Sequence, residues 1–274
     1  LPLVETRRVM TTGGYSSYLK IGEGCDKHCT YCIIPKLRGN YRSVPMDYVL
    51  EDARQLAASG VKELNIVAQE TTTWGKDIYG EKRLHVLLRE LCKVEGIQWI
   101  RLLYCYPEEI TDELIETIRT EEKVCHYLDI PIQHASDNIL KRMGRRTNQA
   151  ELRNMIARLR ERIPDICLRT TLITGFPGET QEDHEELMAF VDEMEFDRLG
   201  VFTYSAEEDT PAAEFEDQIE EEIKKDRQAE IMELQQEIAF EKAENAVGRT
   251  VLAMIEGRLP NKNAYAARTY MDAP

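Results

Sequence analysis

Hydrophobic positions in the chain alternate between two patterns, one typical of buried strands and one typical of amphipathic helices. Short apolar runs predict strands at 18–21, 64–68, 99–104, 127–130, 167–174 and 199–204. Between these runs, apolar residues recur at helical spacing and predict helices over 46–59, 84–95, 111–118, 136–163 and 180–194. Six such strand–helix repeats predict an α/β fold with a parallel sheet and right-handed crossovers.

Two of the predicted helices carry recognisable start signals. Thr111 is followed by Asp112 and Glu113, which suit the first turn of a helix. Thr180 and Asp183 stand three residues apart, as in a capping box. These signals support the helix boundaries that the hydrophobic spacing predicts.

The last quarter of the chain departs from the alternation. Residues 219–247 predict a long, highly charged helix, and 251–255 and 265–270 predict β segments. The apolar residues expected to face the body are Ile219, Ile223, Ile231, Leu234 and Ile238. We therefore divide the chain into a lead-in (1–17), an α/β core (18–218), a linking helix (219–247) and an incomplete β segment (248–274).

Composition restricts the class of partner. The chain has 274 residues and a formal net charge of −15, with 35 Lys and Arg against 50 Asp and Glu. Because Lys and Arg neutralise phosphates in nucleic-acid complexes, nucleic acid is not expected as the main substrate, and a basic protein is the better match. No long apolar run or signal peptide is present, and we expect a reducing, cytoplasmic setting. The chain does not begin with Met, so we expect a fragment.

The most specific chemistry lies in a loop after the first predicted strand, where Cys25, Cys29 and Cys32 follow C-x3-C-x2-C spacing. Soft thiolates select zinc, copper or iron–sulfur centres, and three thiolates on a four-iron cluster leave one iron open. Two alternatives remain: a closed zinc site that adds His28, and disulfides, which leave one cysteine unpaired.

Several candidate residues stand at the carboxyl ends of the predicted strands, where parallel sheets place their chemistry. The cysteine loop belongs to this end. The others are Gln69, Glu70, Pro107, Gln133, His134, Gly175 and Ser205. We expect these residues to converge from separate parts of the sequence.

The cysteine spacing resembles that of the radical S-adenosylmethionine (SAM) enzymes. The stretches 68–75, 103–107, 129–136, 143–147, 175–180 and 202–210 are similar to those of the methylthiotransferases within that group. The branch that they resemble modifies an aspartate of ribosomal protein S-twelve; the alternative is a tRNA adenosine methylthiotransferase. A binding module that holds zinc without catalysis is the alternative from another class.

The resemblance implies a partial (β/α)6 TIM-like barrel and a mechanism. Cys25, Cys29 and Cys32 bind a [4Fe–4S] cluster as metal ligands, and SAM chelates the open iron. Reductive cleavage of SAM gives a radical that takes hydrogen from Cβ of the aspartate, and a second SAM donates the methyl group. An electron donor such as a flavodoxin is implied.

The resemblance also suggests cofactor contacts. Gln69 or Glu70 is expected to bind the SAM amine, although this position lacks the family's glycines. Arg169 is a candidate partner for the SAM carboxylate, with a salt bridge in the barrel mouth as the alternative. For Gln69 and Glu70, the alternative is that they are polar residues at a strand end with no cofactor role.

Three further residues complete the predicted site. Gln133 and Ser136 are expected to reach the ribose. Tyr31 packs either near the adenine and cluster or within the core. His134 is expected to be a structural histidine.

The chain also departs from the family. The resemblance implies that full-length members have an amino-terminal domain with a second [4Fe–4S] cluster, and we expect this fragment to lack that domain. The β segment from 248 resembles part of a TRAM domain. We expect the fragment to bind one cluster and SAM without completing methylthiolation, and we expect Cys92, Cys105, Cys125 and Cys167 to be free thiols.

Overall fold

The computed structural model describes residues 14–274, so most of the predicted lead-in lies outside the described residues. The strands of this part are β1 (Ser16–Lys20), β2 (Gly22–Glu23), β3 (Arg42–Ser43), β4 (Glu63–Val67), β5 (Trp99–Leu102), β6 (Val124–Asp129), β7 (Cys167–Thr174), β8 (Arg198–Thr203), β9 (Ala253–Arg258) and β10 (Tyr265–Thr269). Its helices are α1 (Ile34–Arg38), α2 (Met46–Ala58), α3 (Lys76–Tyr79), α4 (Leu84–Cys92), α5 (Asp112–Thr120), α6 (Asp137–Arg142), α7 (Gln149–Arg162), α8 (Gln181–Met194) and α9 (Glu221–Asn245).

Six strands form one parallel sheet in the order β1-β4-β5-β6-β7-β8. Each strand pairs with the next in chain order, as where Ser16 lies opposite Glu63 and Thr174 opposite Thr203. The crossovers between them carry helices, since a parallel pair needs a long connection. The predicted α/β fold of six repeats is confirmed. Within the described residues, no helix has the length and apolar character to cross a membrane.

The two faces of the sheet differ in polarity. On β4, Leu64 and Ile66 pack into the main hydrophobic core, while Glu63 and Asn65 alternate with them and are also buried. Because successive strand side chains point to opposite faces, the face away from the core carries polar groups. That polar face surrounds the interior into which the site residues project.

The connection after the cysteine loop has regular structure. It contains α1 and β3, and β3 pairs antiparallel with β2. Pro35 occupies the first turn of α1, where its missing N–H is no loss and its fixed φ suits a helix.

The long terminal helix has the predicted extent but a different buried face. Ile231 and Ile238 are buried as expected, whereas Ile223 is 44% exposed and its prediction was wrong. The polar residues buried on α9 are Lys224, Arg227 and Gln235. Each forms hydrogen bonds to barrel groups, as where Gln235 Nε2 donates to the Phe196 carbonyl at 2.8 Å. Helical periodicity of apolar residues does not detect such a polar face.

A buried charge network attaches the β9–β10 hairpin to the amino-terminal end of the sheet. Glu63, the first residue of β4, is fully buried and pairs with both Arg101 and Arg268. Arg101 also donates to the Tyr270 carbonyl at 2.6 Å. The predicted β segments are confirmed as an antiparallel pair, and they pack at the opposite end from the cysteine loop. The domain boundaries stay predictions.

Candidate functional site

The cysteine loop lies directly after β2 and is fixed at several points. Cys25 and Cys29 are 8% and 6% exposed, and Cys32 is half-buried. Cys32 N donates to the Cys29 carbonyl at 3.1 Å, and Cys25 N donates to the Gly39 carbonyl at 3.2 Å. Backbone bonds therefore give the three thiols fixed positions in one shielded loop.

Gly24 opens the loop in a conformation that suits glycine. Its φ is +83°, and a Cβ there would lie 2.3 Å from the Asn40 carbonyl oxygen. The chain passes too close to the 39–40 turn to admit any side chain. Gly24 N also donates to Gln69 Oε1 at 2.9 Å, which connects the loop to the end of β4.

The donor set fits an iron–sulfur cluster. Burial raises the pKa of Cys25 to about 11 and also raises the pKa of Cys32, so metal binding must displace protons from these thiols. His28, the fourth ligand of the zinc alternative, is exposed, while Cys25 and Cys29 are buried. Among residues 14–274, no three His, Cys, Asp or Glu converge on one ion position. A cluster needs no such convergence, because each thiolate binds a different iron.

A cavity of about 270 Å³ opens beside the loop at the carboxyl ends of β7 and β8. Its lining is formed by Tyr31, Gln133, Thr171, Ile173, Phe202, Thr203, Tyr204 and Ser205. Tyr31 comes from the cysteine loop and Gln133 from the segment after β6. The structure thus brings together the cysteine loop, Gln133 and Ser205, which were predicted to lie at the same end of the sheet.

Gln133 has the features of a ligand-binding residue. Its φ of +73° is unusual for a residue with a side chain, and its backbone is held by bonds to Thr171 and Ile173. Its Oε1 atom is buried and has no hydrogen-bond partner within the described part of the chain. A strained backbone together with an unpaired buried acceptor indicates a group that a ligand satisfies.

Tyr31 lies between the cavity and a buried aromatic cluster. It lines the cavity, and its ring also packs edge-on against Phe176 at a centroid distance of 6.4 Å. Phe176 in turn contacts Tyr204 at 5.2 Å. Burial raises the pKa of Tyr31, so its phenol stays neutral. The loop is therefore anchored to an aromatic cluster that forms one wall of the cavity.

Gln69 and Glu70 differ in what they contact. Gln69 Oε1 accepts from the loop backbone, as described above, which makes it a support for the cysteine loop. Glu70 is buried and accepts hydrogen bonds from Thr72 N at 2.7 Å and Thr73 N at 3.0 Å. Burial raises the pKa of Glu70. Its carboxylate is thus engaged within its own loop, and the predicted SAM contact stays a prediction.

Arg169 and Ser136 are held by neighbouring acids. Arg169 Nη1 donates to Asp129 Oδ1 at 2.6 Å, which is the salt bridge that we gave as the alternative. Ser136 is buried, does not line the cavity, and donates its hydroxyl to Asp183 at the start of α8. The hydrogen bond thus places Ser136 at the junction of α6 and α8, and its predicted contact with the ribose stays a prediction.

His134 has the structural role that was predicted. It is fully buried, and its Nδ1 accepts from Ser136 N at 3.0 Å. Its Nε2 lies 3.6 Å from Glu179. Both ring nitrogens therefore face protein groups.

The remaining cysteines are spread through the fold. Cys105, Cys125 and Cys167 are buried and Cys92 is half-buried, and all four are free thiols. Burial raises the pKa of Cys125 and Cys167 to about 12, as for inert core thiols.

Tyr106 is a site residue that sequence reasoning did not single out. Its hydroxyl lies 2.8 Å from Cys29 Sγ, across 77 positions of sequence. The only local signal was its place at the carboxyl end of the third predicted strand, next to Pro107.

A comparison with protein-family models identifies the superfamily of this chain. The model of the radical SAM superfamily matches residues 19–191, more than half of the chain. The chain belongs to the radical SAM superfamily. The superfamily match runs from within β1 to within α8 and includes the cysteine loop and half of the cavity-lining residues.

Curated relatives of this radical SAM chain share its sequence closely. It is 65% identical over 271 residues to a "Ribosomal protein uS12 methylthiotransferase RimO" of Lachnoclostridium phytofermentans and 55% identical over 267 residues to that of Alkaliphilus oremlandii. The matches cover 99% and 97% of this chain, but the chain spans only 62% and 61% of the relatives' length.

Solved radical SAM structures share the fold at low identity. Methylornithine synthase (PylB) superposes with a TM-score of 0.57 at 15% identity, covering 81% of this chain and 63% of that one. The methyltransferase TsrM from Kitasatospora setae, with cobalamin and a [4Fe-4S] cluster bound, gives a TM-score of 0.57 at 18% identity and covers 71% of this chain and 38% of that one. These likenesses support the partial-barrel architecture.

Proposed function

We propose that this chain is the radical SAM core of a methylthiotransferase that modifies ribosomal protein uS12. The observation that carries the proposal is the cysteine loop, whose three buried or half-buried thiols adjoin a cavity with an unpaired buried acceptor, Gln133 Oε1. The 65% identity to a relative of that activity supports the substrate. Because this chain spans only 62% of that relative, the methylthiotransferase activity of the whole protein is itself part of the proposal.

In this proposal, Cys25, Cys29 and Cys32 hold a [4Fe–4S] cluster with one iron open to SAM. The cluster supplies the electron that splits SAM reductively, and the protein supplies position and shielding. Gln69 keeps the loop in place through Gly24, and Tyr31 anchors the loop to the aromatic cluster. The electron comes from an external donor such as a flavodoxin.

The cavity is the proposed place for SAM. Gln133 Oε1 would accept a hydrogen bond from a hydroxyl or amine of the cofactor, and the Tyr31 ring would form one wall of its site. Arg169 keeps part of its guanidinium exposed beside Asp129 and remains the predicted partner of the SAM carboxylate. The predicted contacts of Gln69, Glu70 and Ser136 with SAM remain predictions as well.

The charge of the chain suits a basic protein substrate. With a net charge of −15, the chain attracts a basic ribosomal protein and repels the phosphates of tRNA. An exposed aromatic residue, Phe202, stands at the cavity rim, is 60% exposed and lines the opening. The charge favours the protein substrate over the tRNA alternative, in a cytoplasmic setting.

Anaerobic reconstitution tests the proposal. The chain should bind about four iron and four sulfide, as a [4Fe–4S] site does. With dithionite it should convert SAM to methionine and deoxyadenosine. C29A should lose both properties, while C92A, a half-buried thiol outside the loop, should keep them. Zinc without sulfide, or intact SAM with a full cluster, would refute the assignment.

Transfer to the substrate is tested separately by mass spectrometry of uS12 after incubation with the chain, SAM and reductant. The expectation is SAM cleavage without methylthiolation by this length of chain. A relative of full length serves as the positive control. Methylthiolation of tRNA but not of uS12 by that control would favour the alternative substrate.

A further inference from the structure

Arg145 lies beneath the cysteine loop in a fixed position. The segment that carries it is bonded to the loop, since Thr30 N donates to the Met143 carbonyl at 3.0 Å. Gly144 has a φ of +71° and passes close to the His28 carbonyl, where a Cβ would lie 3.1 Å from that oxygen. Arg145 is only 7% exposed. The close approach therefore places a buried guanidinium next to the proposed cluster ligands.

The charge of Arg145 is not balanced within the described residues. Its Nη2 donates to the Pro131 carbonyl at 2.9 Å, but Nε and Nη1 have no hydrogen-bond partner in residues 14–274. Nor does any carboxylate there lie within ion-pair distance of Arg145. A buried charge that lacks a partner is strongly unfavourable. An anion that belongs in this place would explain why the charge is tolerated.

Lys27, the other buried cation near the loop, provides the contrast. It is 9% exposed and pairs with Glu109, and with Glu108 at 3.5 Å. Its charge is therefore balanced by protein carboxylates. The unbalanced cation is Arg145, and its unpaired N–H groups set it apart from Lys27.

Tyr106 connects Arg145 to a cluster ligand. The guanidinium carbon of Arg145 lies 4.1 Å from the centroid of the Tyr106 ring, and the Tyr106 hydroxyl lies 2.8 Å from Cys29 Sγ. Tyr106 N donates to Thr72 Oγ1 at 3.2 Å, which fixes the ring. The cation and the phenolic O–H thus converge on one of the three sulfur ligands.

We propose that Arg145 and Tyr106 together set the reduction potential of the cluster through Cys29. The inference rests on the proposed function, because it requires Cys29 to be a cluster ligand. One-electron reduction by an external donor adds a negative charge to the cluster. A fixed buried cation and a hydrogen bond to the ligand sulfur stabilise that added charge and so raise the potential. Arg145 is a positioning residue in this account.

The test is a redox titration of the anaerobically reconstituted full chain, followed by electron paramagnetic resonance of the reduced cluster. R145Q and Y106F should each shift the midpoint to a more negative value. For R145Q, the reduced-to-oxidised ratio at the wild-type midpoint should fall about tenfold, equivalent to ~59 mV for one electron. R145K should restore most of the potential because it restores the charge. R146Q, at the exposed neighbour, is the matched control and should leave the midpoint unchanged.

The outcomes separate this inference from the proposed function. If the wild type forms no cluster, both are overturned. If it forms a cluster and R145Q and Y106F titrate at the wild-type midpoint, only this inference is overturned. Should R145Q fail to fold or to hold a cluster, Y106F decides alone, because it removes a single hydroxyl and leaves the cation in place.

Discussion

The backbone N–H of Gly24 donates a hydrogen bond of 2.9 Å to Oε1 of Gln69, across 45 positions of sequence. This bond joins the first residue of the cysteine loop to the carboxyl end of β4. Because a strand in a six-stranded sheet is rigid, this bond holds the cysteine loop in a fixed position relative to the sheet.

Removing that acceptor should loosen the loop. In Q69L, the Gly24 N–H loses its partner, at a cost of about 1–3 kcal/mol for a buried donor. We expect lower iron and sulfide content after reconstitution, with a melting temperature that falls only slightly. Q55L, at an exposed glutamine of α2, is the control. Equal cluster content in Q69L and Q55L would argue against the support role.

A side chain at Gly24 should impair cluster binding far more than a side chain at Gly39. Both glycines have a positive φ, so alanine is strained at either position. Only at Gly24 would the Cβ collide with backbone, 2.3 Å from the Asn40 oxygen, while nothing lies within 4 Å at Gly39. We expect G24A to abolish cluster binding and G39A to retain it. The measurement is iron content after gel filtration, and similar losses in both variants would contradict the steric explanation.

Replacing Gln133 by glycine should stabilise the fold and weaken the binding of SAM. Its φ of +73° is costly for a residue with a Cβ, so Q133G should raise the free energy of unfolding by about 1 kcal/mol. The same change removes Oε1 from the cavity and should weaken SAM binding about tenfold, as expected for one lost hydrogen bond. Urea denaturation and calorimetric titration with SAM measure the two effects.

Glu195 supplies the matched control for that variant. It too has a positive φ, +42°, but it ends α8 and does not line the cavity. E195G should therefore stabilise the fold without weakening SAM binding. Weaker binding in E195G would mean that backbone changes alone disturb the site.

Acid should destabilise the junction between α9 and the turn after β7. Burial alone would raise the pKa of Glu179, but the neighbouring His134, Arg227 and Phe176 N–H outweigh it and lower the pKa below its usual 4.5. Since the folded pKa is depressed, the stabilisation is complete above the unfolded value and is lost as the pH falls through the folded pKa. Unfolding free energy measured between about pH 7 and pH 3 should decline in this acid range.

The variant E179Q tests which residue causes that decline. It should be less stable at neutral pH, because the buried Arg227 loses its charged partner, and its stability should fall less steeply in acid. E182Q, at an exposed position of α8, should keep the wild-type slope. An unchanged slope in E179Q would assign the acid sensitivity to other carboxylates.

The hairpin should detach when its buried arginine is removed. Arg268 pairs with the fully buried Glu63, and R268M would leave Arg101 as the only cation in residues 14–274 bonded to that carboxylate. We expect a loss of about 3 kcal/mol, the lower end for breaking a buried pair. Limited proteolysis should then cut near β9 and β10. R258M, at the exposed end of β9, should resist; equal cleavage of both variants would weaken the anchoring role.

The local elements of the fold were largely predictable because they depend on local spacing. Thr111 accepts from Leu114 N, and Thr180 and Asp183 form the predicted capping box. The strand 167–174 has the predicted bounds, while β6 begins three residues before its prediction. Strand ends and short helices such as α1 were missed, because a few residues carry too weak a pattern.

The sequence by itself determined the order of strands and helices, the strand ends beside which the cysteine loop lies, and the spacing of its three cysteines, since motif spacing and periodicity are local properties. Tertiary structure alone decided that α9 buries Lys224 and Arg227 and that Gln133 has an unpaired acceptor. It likewise decided that Arg145 lies beneath Tyr106. These relations join residues tens of positions apart, and a polar side chain becomes buried only when a distant segment supplies or withholds its partner.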